Sequence, residues 1–395
     1  MLCKDERRRF CRIIFFLLMC AIKGPVQCAQ ASFLNLGGYL MKIIIAPDSF
    51  KGSIEATQIC DLLEKNILNK KPNAHIIKMP LGDGGEGTED AFYTAYPKSF
   101  KKEVIIKDLF GRKKSVHYII NGEEAYIETA LAVGLDKTRL DVMHSSSEGV
   151  GQMILSAQKN GIKRIYLGLG GSGTCDAGTG ALAEMGLHFY DAQNNTLKPC
   201  GESLESIYKI SGEIKNLTQM CEFFAVADVQ NPLYGENGAA YVYAPQKGAD
   251  QQDVQVLDRG LRNFAKVSGY DNVANSSGSG AAGGLGFFIK AYLNAKIISG
   301  IDFVLDLYKY DEIDADLIIT GEGCIDEQTL YGKTVSGVLR RANGRRVLAI
   351  CGKTGIGCKN LGCEVVSINP PDEPPEISMK NVIKNLSDFN IDKYL

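Results

Sequence analysis

Eight carboxylates stand in glycine-flanked turns that follow apolar runs: Asp48, Asp83, Glu86, Asp176, Asp228, Glu322, Asp326 and Glu327. Any one alone reads as a turn or helix-capping residue. Recurrence at five or more strand ends asks for another account. Clustered oxygen ligands suit Mg²⁺, which takes one or two protein carboxylates and fills its remaining positions with phosphate oxygens and water. Two loop lysines, Lys51 and Lys333, stand beside these acids. Either is a solvated surface charge or a cation that neutralises a carboxylate substrate or a transferring phosphoryl group.

The densest such stretch is Arg164–Ala183, RIYLGLGGSGTCDAGTGALA. A short apolar run stops at glycines and a small-residue segment then enters a helix. Glycines let backbone approach a ligand closely, and the free N–H groups of a helix start face negative charge. Asp176 lies inside this turn. A carboxylate where phosphate should bind is repelled unless a metal or a transferable proton lies between them, so the stretch points to phosphoryl chemistry. Gly168, Gly170 and Gly173 also match the dinucleotide fingerprint GxGxxG, with Asp191 following at about the right spacing. The rival reading is therefore an NAD(P)-dependent oxidoreductase of a small hydroxy acid. The Walker pattern fails, because Glu327 and Val347 stand where the first glycine should precede Gly332-Lys333-Thr334 and Gly352-Lys353-Thr354. The four histidines are dispersed, against a zinc hydrolase or a His-based triad.

The elements that must position these residues alternate strand and helix. Lys42–Ala46 reads as a strand, Glu55–Leu68 as a helix with an apolar face, and His75–Met79 as a second strand before PLGDGGEGT. That is the rhythm of a parallel sheet covered by helices, whose ligand crevice lies at the carboxyl ends of its strands. From Glu103 to Ile127 the texture changes to short strands with turns at Phe110-Gly111 and Asn121-Gly122, which predicts antiparallel pairing. The strand-helix rhythm returns at Asp316–Thr320 and Val347–Ile350. The fold expected is α/β: a parallel, Rossmann-like sheet domain built from both chain ends (residues 41–100 and 285–395), with a mixed α/β domain inserted over 101–284.

At 395 residues, 45% hydrophobic and 23% charged, the chain is long enough for two domains and has an ordinary globular balance. A net charge of -2 gives no case for a nucleic-acid partner. The 12 cysteines include no CxxC pair and read as reduced thiols, which favours the cytoplasm. Residues 1–40 imitate a secretory signal, with Lys4 and Arg7–Arg9, an apolar run over Ile13–Ile22 and small residues at Gln27–Ala31. Asp5, Glu6 and Arg12 interrupt that pattern, and Met41 offers a fresh start before the first strand. An over-long reading frame or a leader outside the fold is the reading preferred. The apolar run is too short for a stable membrane span.

Several long segments, in order, resemble the glycerate kinase family of the glycerate 2-kinase type. They are IIIAPDSFKGS (Ile43–Ser53), PLGDGGEGT (Pro80–Thr88), LGLGGSGTCDAGTGAL (Leu167–Leu182), ADVQNPLYGENGA (Ala227–Ala239), PQKGA (Pro245–Ala249), GSGAAGGLG (Gly278–Gly286) and GEGCIDEQTLYGKT (Gly321–Thr334). The resemblance implies ATP-dependent phosphorylation of (R)-glycerate in a cleft between two α/β domains, giving 2-phosphoglycerate or 3-phosphoglycerate. The family commonly has Ala at positions 82 and 173, Asn at 175 and Arg at 324, where this chain has Gly, Gly, Cys and Cys. The lost arginine removes a fixed charge beside Glu322 and Asp326.

Within that reading each residue has an expected role. Lys51, with Ser49 and Ser53 in its loop and Asp48, Asp83 and Glu86 around it, holds glycerate. Gly170, Gly171, Ser172, Gly173, Gly280 and Gly283 cradle the ATP phosphates. Asp176 takes the hydroxyl proton. Glu322, Asp326 and Asp228 hold Mg²⁺, and Lys333 offsets charge on the γ-phosphate. A non-catalytic anion-binding protein of the same fold is the third reading.

Overall fold

The computed structural model describes residues 40–85, 87–214, 217–327, 329, 334–370 and 373–395. Thirteen strands are formed among them: β1 (Lys42–Pro47), β2 (His75–Lys78), β3 (Phe100–Lys107), β4 (Lys113–Asn121), β5 (Glu124–Glu128), β6 (Arg164–Gly168), β7 (Leu187–Tyr190), β8 (Lys209–Gly212), β9 (Glu222–Val226), β10 (Lys296–Ile298), β11 (Leu317–Ile325), β12 (Val347–Thr354) and β13 (Glu364–Ser367). Residues 1–39, which carry nearly all of the signal-like stretch, lie outside the described residues.

The first sheet has the order β13-β12-β11-β1-β2 and is parallel throughout. Its strands come from both ends of the chain, as the α/β rhythm implies. β1 is apolar on both faces because both are covered. Ile43 and Ile45 pack with Ile59, Leu63 and Leu386, from helices Ala56–Lys70 and Pro375–Asp388. Ile44 and Ala46 face the other way.

The second sheet has the order β10-β9-β6-β5-β4-β3. β3, β4 and β5 pair antiparallel, as their turn signals imply, whereas β5, β6, β9 and β10 run parallel. Period-two alternation again divides the side chains. Ala125, Ile127, Ile165 and Leu167 join the core under helices Glu148–Lys159 and Gln251–Val267. Tyr126 and Tyr166 point oppositely, into a shared layer with Ile44, Ala46, Phe92 and Phe303. The two sheets therefore meet through one apolar seam. β10 follows position 285 in sequence yet pairs with β9, and helix Ala281–Leu293 packs in the core of the mixed sheet.

One element is longer than its sequence suggests. The strand expected over Asp316–Thr320 continues as β11 through Ile325, because β12 runs alongside it and pairs Glu322 with Cys351 and Cys324 with Lys353. Glu322 thus lies within a strand and not in a glycine turn. No helix among the described residues is long and apolar enough to cross a membrane.

Candidate active site

Parallel pairing brings the carboxyl ends of β1 and β11 together, and Asp48 stands there. Its N–H donates to the Gly321 carbonyl at 2.8 Å. Its carboxylate is buried; Oδ1 accepts the Ser49 N–H at 2.7 Å and Oδ2 accepts the Thr334 hydroxyl at 2.7 Å. Burial pushes the Asp48 carboxyl up to about 6, the Thr334 hydrogen bond opposes the rise, and the nearby Asp83 charge adds to it. The loop beyond turns back through Ser53, whose N–H donates to the Phe50 carbonyl at 2.8 Å. Lys51 projects from it, 73% exposed, with Nζ 3.9 Å from Asp83 Oδ2.

Asp83 heads the turn after β2, and the turn is held by the opposite sheet. The Gly84 carbonyl accepts the Gly170 N–H at 3.2 Å. Gly170 must be glycine: a Cβ there would lie 2.5 Å from the Gly85 Cα. Gly84 has φ 90°, in the left-handed region, and abuts the Val226 carbonyl. Asp228, beyond β9, completes the group; its Oδ1 accepts the Gly300 N–H at 2.9 Å. Burial raises the Asp228 carboxyl and Asp83 raises it further, against hydrogen bonds from Ser299 and Gly300. Asp83 thus influences Asp48, Asp228 and a third acid, Glu128 at the end of β5.

Glu322 and Asp326 are linked through Thr329, which is buried. Its hydroxyl donates to Glu322 Oε1 at 2.6 Å and accepts the Asp326 N–H at 3.2 Å. This pair adjoins the Lys51 loop, because Gly323 packs against Phe50 and Lys51. Glu86 and Lys333 lie outside the described residues.

The structure differs most from expectation at the second glycine turn. Asp176 is fully buried and saturated with donors. Oδ2 accepts the Ser147 N–H at 2.8 Å, the Ser147 hydroxyl at 2.7 Å and the Gly180 N–H at 3.1 Å; Oδ1 accepts the Gly178 N–H at 3.1 Å. An acid so enclosed ties two helix starts together and does not meet a substrate hydroxyl. The expected base role does not fit this geometry.

The turn's own donors are also engaged. Besides Gly170, Gly173 donates to the Val133 carbonyl at 2.6 Å and Gly280 to the Asn231 carbonyl at 2.9 Å. Gly283 lies against the Thr174 carbonyl. Gly171 accepts the Leu135 N–H at 3.0 Å through its carbonyl. These glycines permit close packing of loops, and the N–H groups of Gly170, Gly173 and Gly280 are not free for phosphate. The dinucleotide fingerprint fails for the same reason: the N–H groups of Gly170 and Gly173 are engaged, and a Cβ on Gly168 would meet the Tyr126 hydroxyl.

Sequence reasoning missed two groups. Lys247, in the PQKGA segment, is buried beneath the turn and donates to Ser172 Oγ at 3.2 Å and the Thr174 carbonyl at 2.8 Å. Burial pulls its ammonium down to about 8. Glu128 is buried, accepts the Tyr126 hydroxyl on Oε2 at 2.8 Å, and is pushed up to about 8 by burial. Its signal was present: it ends a strand, as Asp48 does. Beside this region a cavity of about 440 Å³ is lined by Leu109, Arg112, Lys114, Ala130 and Leu135.

Two α/β layers, an acid-rich seam at the carboxyl ends of their strands and a lysine at its mouth define an enzyme of the phosphotransferase kind. Comparison with known proteins agrees. The model of the glycerate kinase family matches residues 43–391. A glycerate kinase of Halalkalibacterium halodurans is 38% identical over 328 residues, covering 80% of this chain and 86% of that protein. A glycerate 2-kinase of Escherichia coli K12 is 36% identical over 310 residues, 75% of this chain and 81% of its own length. A crystal structure assigned to glycerate kinase 2 of Salmonella typhimurium LT2 has a TM-score of 0.73 and 33% identity, covering 89% of this chain and 97% of that one. The chain belongs to the glycerate kinase family. It is an enzyme, a kinase, and the oxidoreductase reading finds no support.

Proposed function

We propose that the enzyme transfers the γ-phosphoryl group of ATP to the 2-hydroxyl of (R)-glycerate, at the seam where Asp48, Asp83 and Asp228 gather. The observation that carries this reading is the convergence of acids from three separate strand ends around Asp83, with Lys51 as the cation beside them. The choice of the 2-hydroxyl follows the Escherichia coli relative.

Lys51 and the Ser49–Ser53 loop receive the substrate carboxylate. Asp83, whose side chain is 41% exposed beside Lys51, takes the role first expected of Asp176. Among the described residues no group of three His, Cys, Asp or Glu is arranged to hold a metal unaided. The seam still fits Mg²⁺, because a kinase site needs only one or two carboxylates. Burial and mutual repulsion leave Asp48 and Asp228 raised, and a cation would relieve both. Asp228 would hold it, with Glu322 and Asp326 at the margin; bound there, Mg²⁺ would neutralise charge on the phosphates. The 440 Å³ cavity is within the range of ligand pockets and is the proposed seat of the nucleoside. Lys333 remains the proposed partner of the γ-phosphate.

The division of the chain belongs to the same proposal: a parallel-sheet domain from both ends and an inserted domain that extends to about residue 298, where β10 ends. So does the cytoplasm as the place of action, supported by the free cysteines among the described residues. Phosphorus NMR of the product tests the regiochemistry: a signal from 2-phosphoglycerate is expected, and 3-phosphoglycerate alone would overturn the choice of hydroxyl.

A further inference from the structure

Asp48 and Asp228 follow strands of different sheets, yet each is gripped by the first residue of a helix. The Thr334 hydroxyl, which opens helix Thr334–Arg340, donates to Asp48 Oδ2 at 2.7 Å. The Gly300 N–H, which opens helix Gly300–Leu307, donates to Asp228 Oδ1 at 2.9 Å. Gly300 also backs onto the Asp83–Gly84 peptide, where a Cβ would collide with the Asp83 carbonyl. The spacing of these acids therefore depends on how the two helices sit against each other.

The helices are joined in two ways. Gly337 lies inside Thr334–Arg340, where glycine weakens a helix relative to alanine. A Cβ there would lie 2.5 Å from Ile301 Cγ1 and 2.9 Å from Ile301 Cγ2, so the absent side chain is what lets the helices touch. Just past the helix end, Arg341 reaches across. Its Nη2 donates to Asp306 Oδ1 and Asp311 Oδ2, both at 2.7 Å, and its Nη1 to the Asp302 carbonyl at 3.3 Å. Asp302 and Asp306 belong to helix Gly300–Leu307. Arg340 adds a bond to Asp302 Oδ1 at 2.7 Å. The Arg341 side chain is 17% exposed and that of Arg340 54%, so Arg341 is the better shielded from solvent and carries the clamp. A guanidinium that meets several acceptors at once holds a geometry that a lysine ammonium does not.

We propose that Arg341 is a positioning residue for phosphoryl transfer: it clamps helix Gly300–Leu307 to helix Thr334–Arg340 and so fixes Asp228, and the Asp83 turn with it, relative to Asp48. This rests on the kinase reading above. The guanidinium bonds to Asp302, Asp306 and Asp311, none of them an acid of the seam, so its effect passes through the two helix starts. Loosening the clamp leaves the Lys51 loop in place and lets Asp228 move relative to Asp48. Glycerate still binds, and the alignment needed for transfer is lost.

Two substitutions disturb the same contact by different means. Arg341→Met removes the clamp, whereas Gly337→Ala wedges the helices apart and leaves every charge in place. Each should lower kcat about tenfold, hold the KM for glycerate within about twofold and raise the Mg²⁺ concentration at half-maximal rate about fivefold. Asn66→Ala is the control for lost stability alone. It removes hydrogen bonds to the carbonyls of Leu386, Ser387 and Phe389 near the far end of helix Ala56–Lys70, and should keep kcat within about twofold. Amide hydrogen exchange over 299–305 should speed in Arg341→Met. Wild-type kcat in Arg341→Met or Gly337→Ala, an equal loss of kcat in Asn66→Ala, or unchanged exchange in Arg341→Met would overturn the proposal. Exchange needs no turnover, so a wild-type protein that released no ADP with glycerate would defeat the kinase reading while exchange still decided whether Arg341 holds the helix.

Discussion

The Thr334 hydroxyl donates to Asp48 Oδ2 at 2.7 Å, joining residues 286 positions apart in the chain. That bond is possible because β1 lies beside β11 and the returning half of the chain delivers helix Thr334–Arg340 to the end of β1. The acid seam is a consequence of sheet order.

Asp48 should titrate visibly. Its carboxyl stands near 6 in the folded state against 3.8 ordinarily. Activity should rise with pH through about 6 as the group ionises. Stability runs the other way: between about pH 4 and 6 the unfolded chain releases this proton while the folded chain keeps it, so stability falls as pH rises. Asp48→Asn should lower kcat/KM roughly 10²-fold and raise Tm at pH 7, with a gain of at most about 3 kcal/mol. Steady-state assays and calorimetry at pH 5 and 7 measure both.

Asp176→Asn should behave as a folding variant. Three backbone N–H groups and a hydroxyl lose a carboxyl acceptor, and unsatisfied buried donors cost about 1–3 kcal/mol each. Thermal unfolding should show a Tm lowered by roughly 5 °C or more. An unchanged Tm with kcat down roughly 10²–10⁴-fold would restore Asp176 as the base.

Lys51→Ala should separate binding from stability. The exposed pair with Asp83 at 3.9 Å contributes little to folding, so Tm should hold within about 1 °C. The KM for glycerate should rise about tenfold with kcat less affected, and an unchanged KM would remove Lys51 from the substrate site.

Gly170→Ala tests the closeness of the two turns. Its Cβ would meet the Gly85 backbone, which cannot yield as a flexible side chain would. The cost should be about 1–3 kcal/mol of stability, read by denaturant titration, with kcat reduced alongside because the Asp83 turn is displaced.

Much of this was legible in the sequence for local reasons. The continuous apolar run of β1, apolar spacing in Ala56–Lys70 and acids at strand ends are short-range patterns. Asp48 and Asp83 stand at one edge because β1 and β2 are neighbouring parallel strands, which present their carboxyl ends together; Asp228 comes from β9 of the other sheet, and no short-range pattern says that the two sheets meet there. Asp176 was misread because an acid in a glycine turn looks the same whether its donors belong to a ligand or to Ser147, 29 positions earlier. The length of β11 was misread because GEGCI has turn composition and only its partner β12 extends it. Lys247 carries no local mark of burial, since its surroundings are the Ser172–Thr174 turn more than seventy residues away.

The most direct test measures ADP release against (R)-glycerate and Mg²⁺ concentration, in wild type and Asp83→Asn, with NADH oxidation followed in a parallel sample without coupling enzymes. The account predicts ADP release only when both are present, loss of at least about 10²-fold in the variant at an unchanged Tm, and no NADH oxidation in the parallel sample. ADP release at the wild-type rate in Asp83→Asn would contradict the seam as the place of transfer.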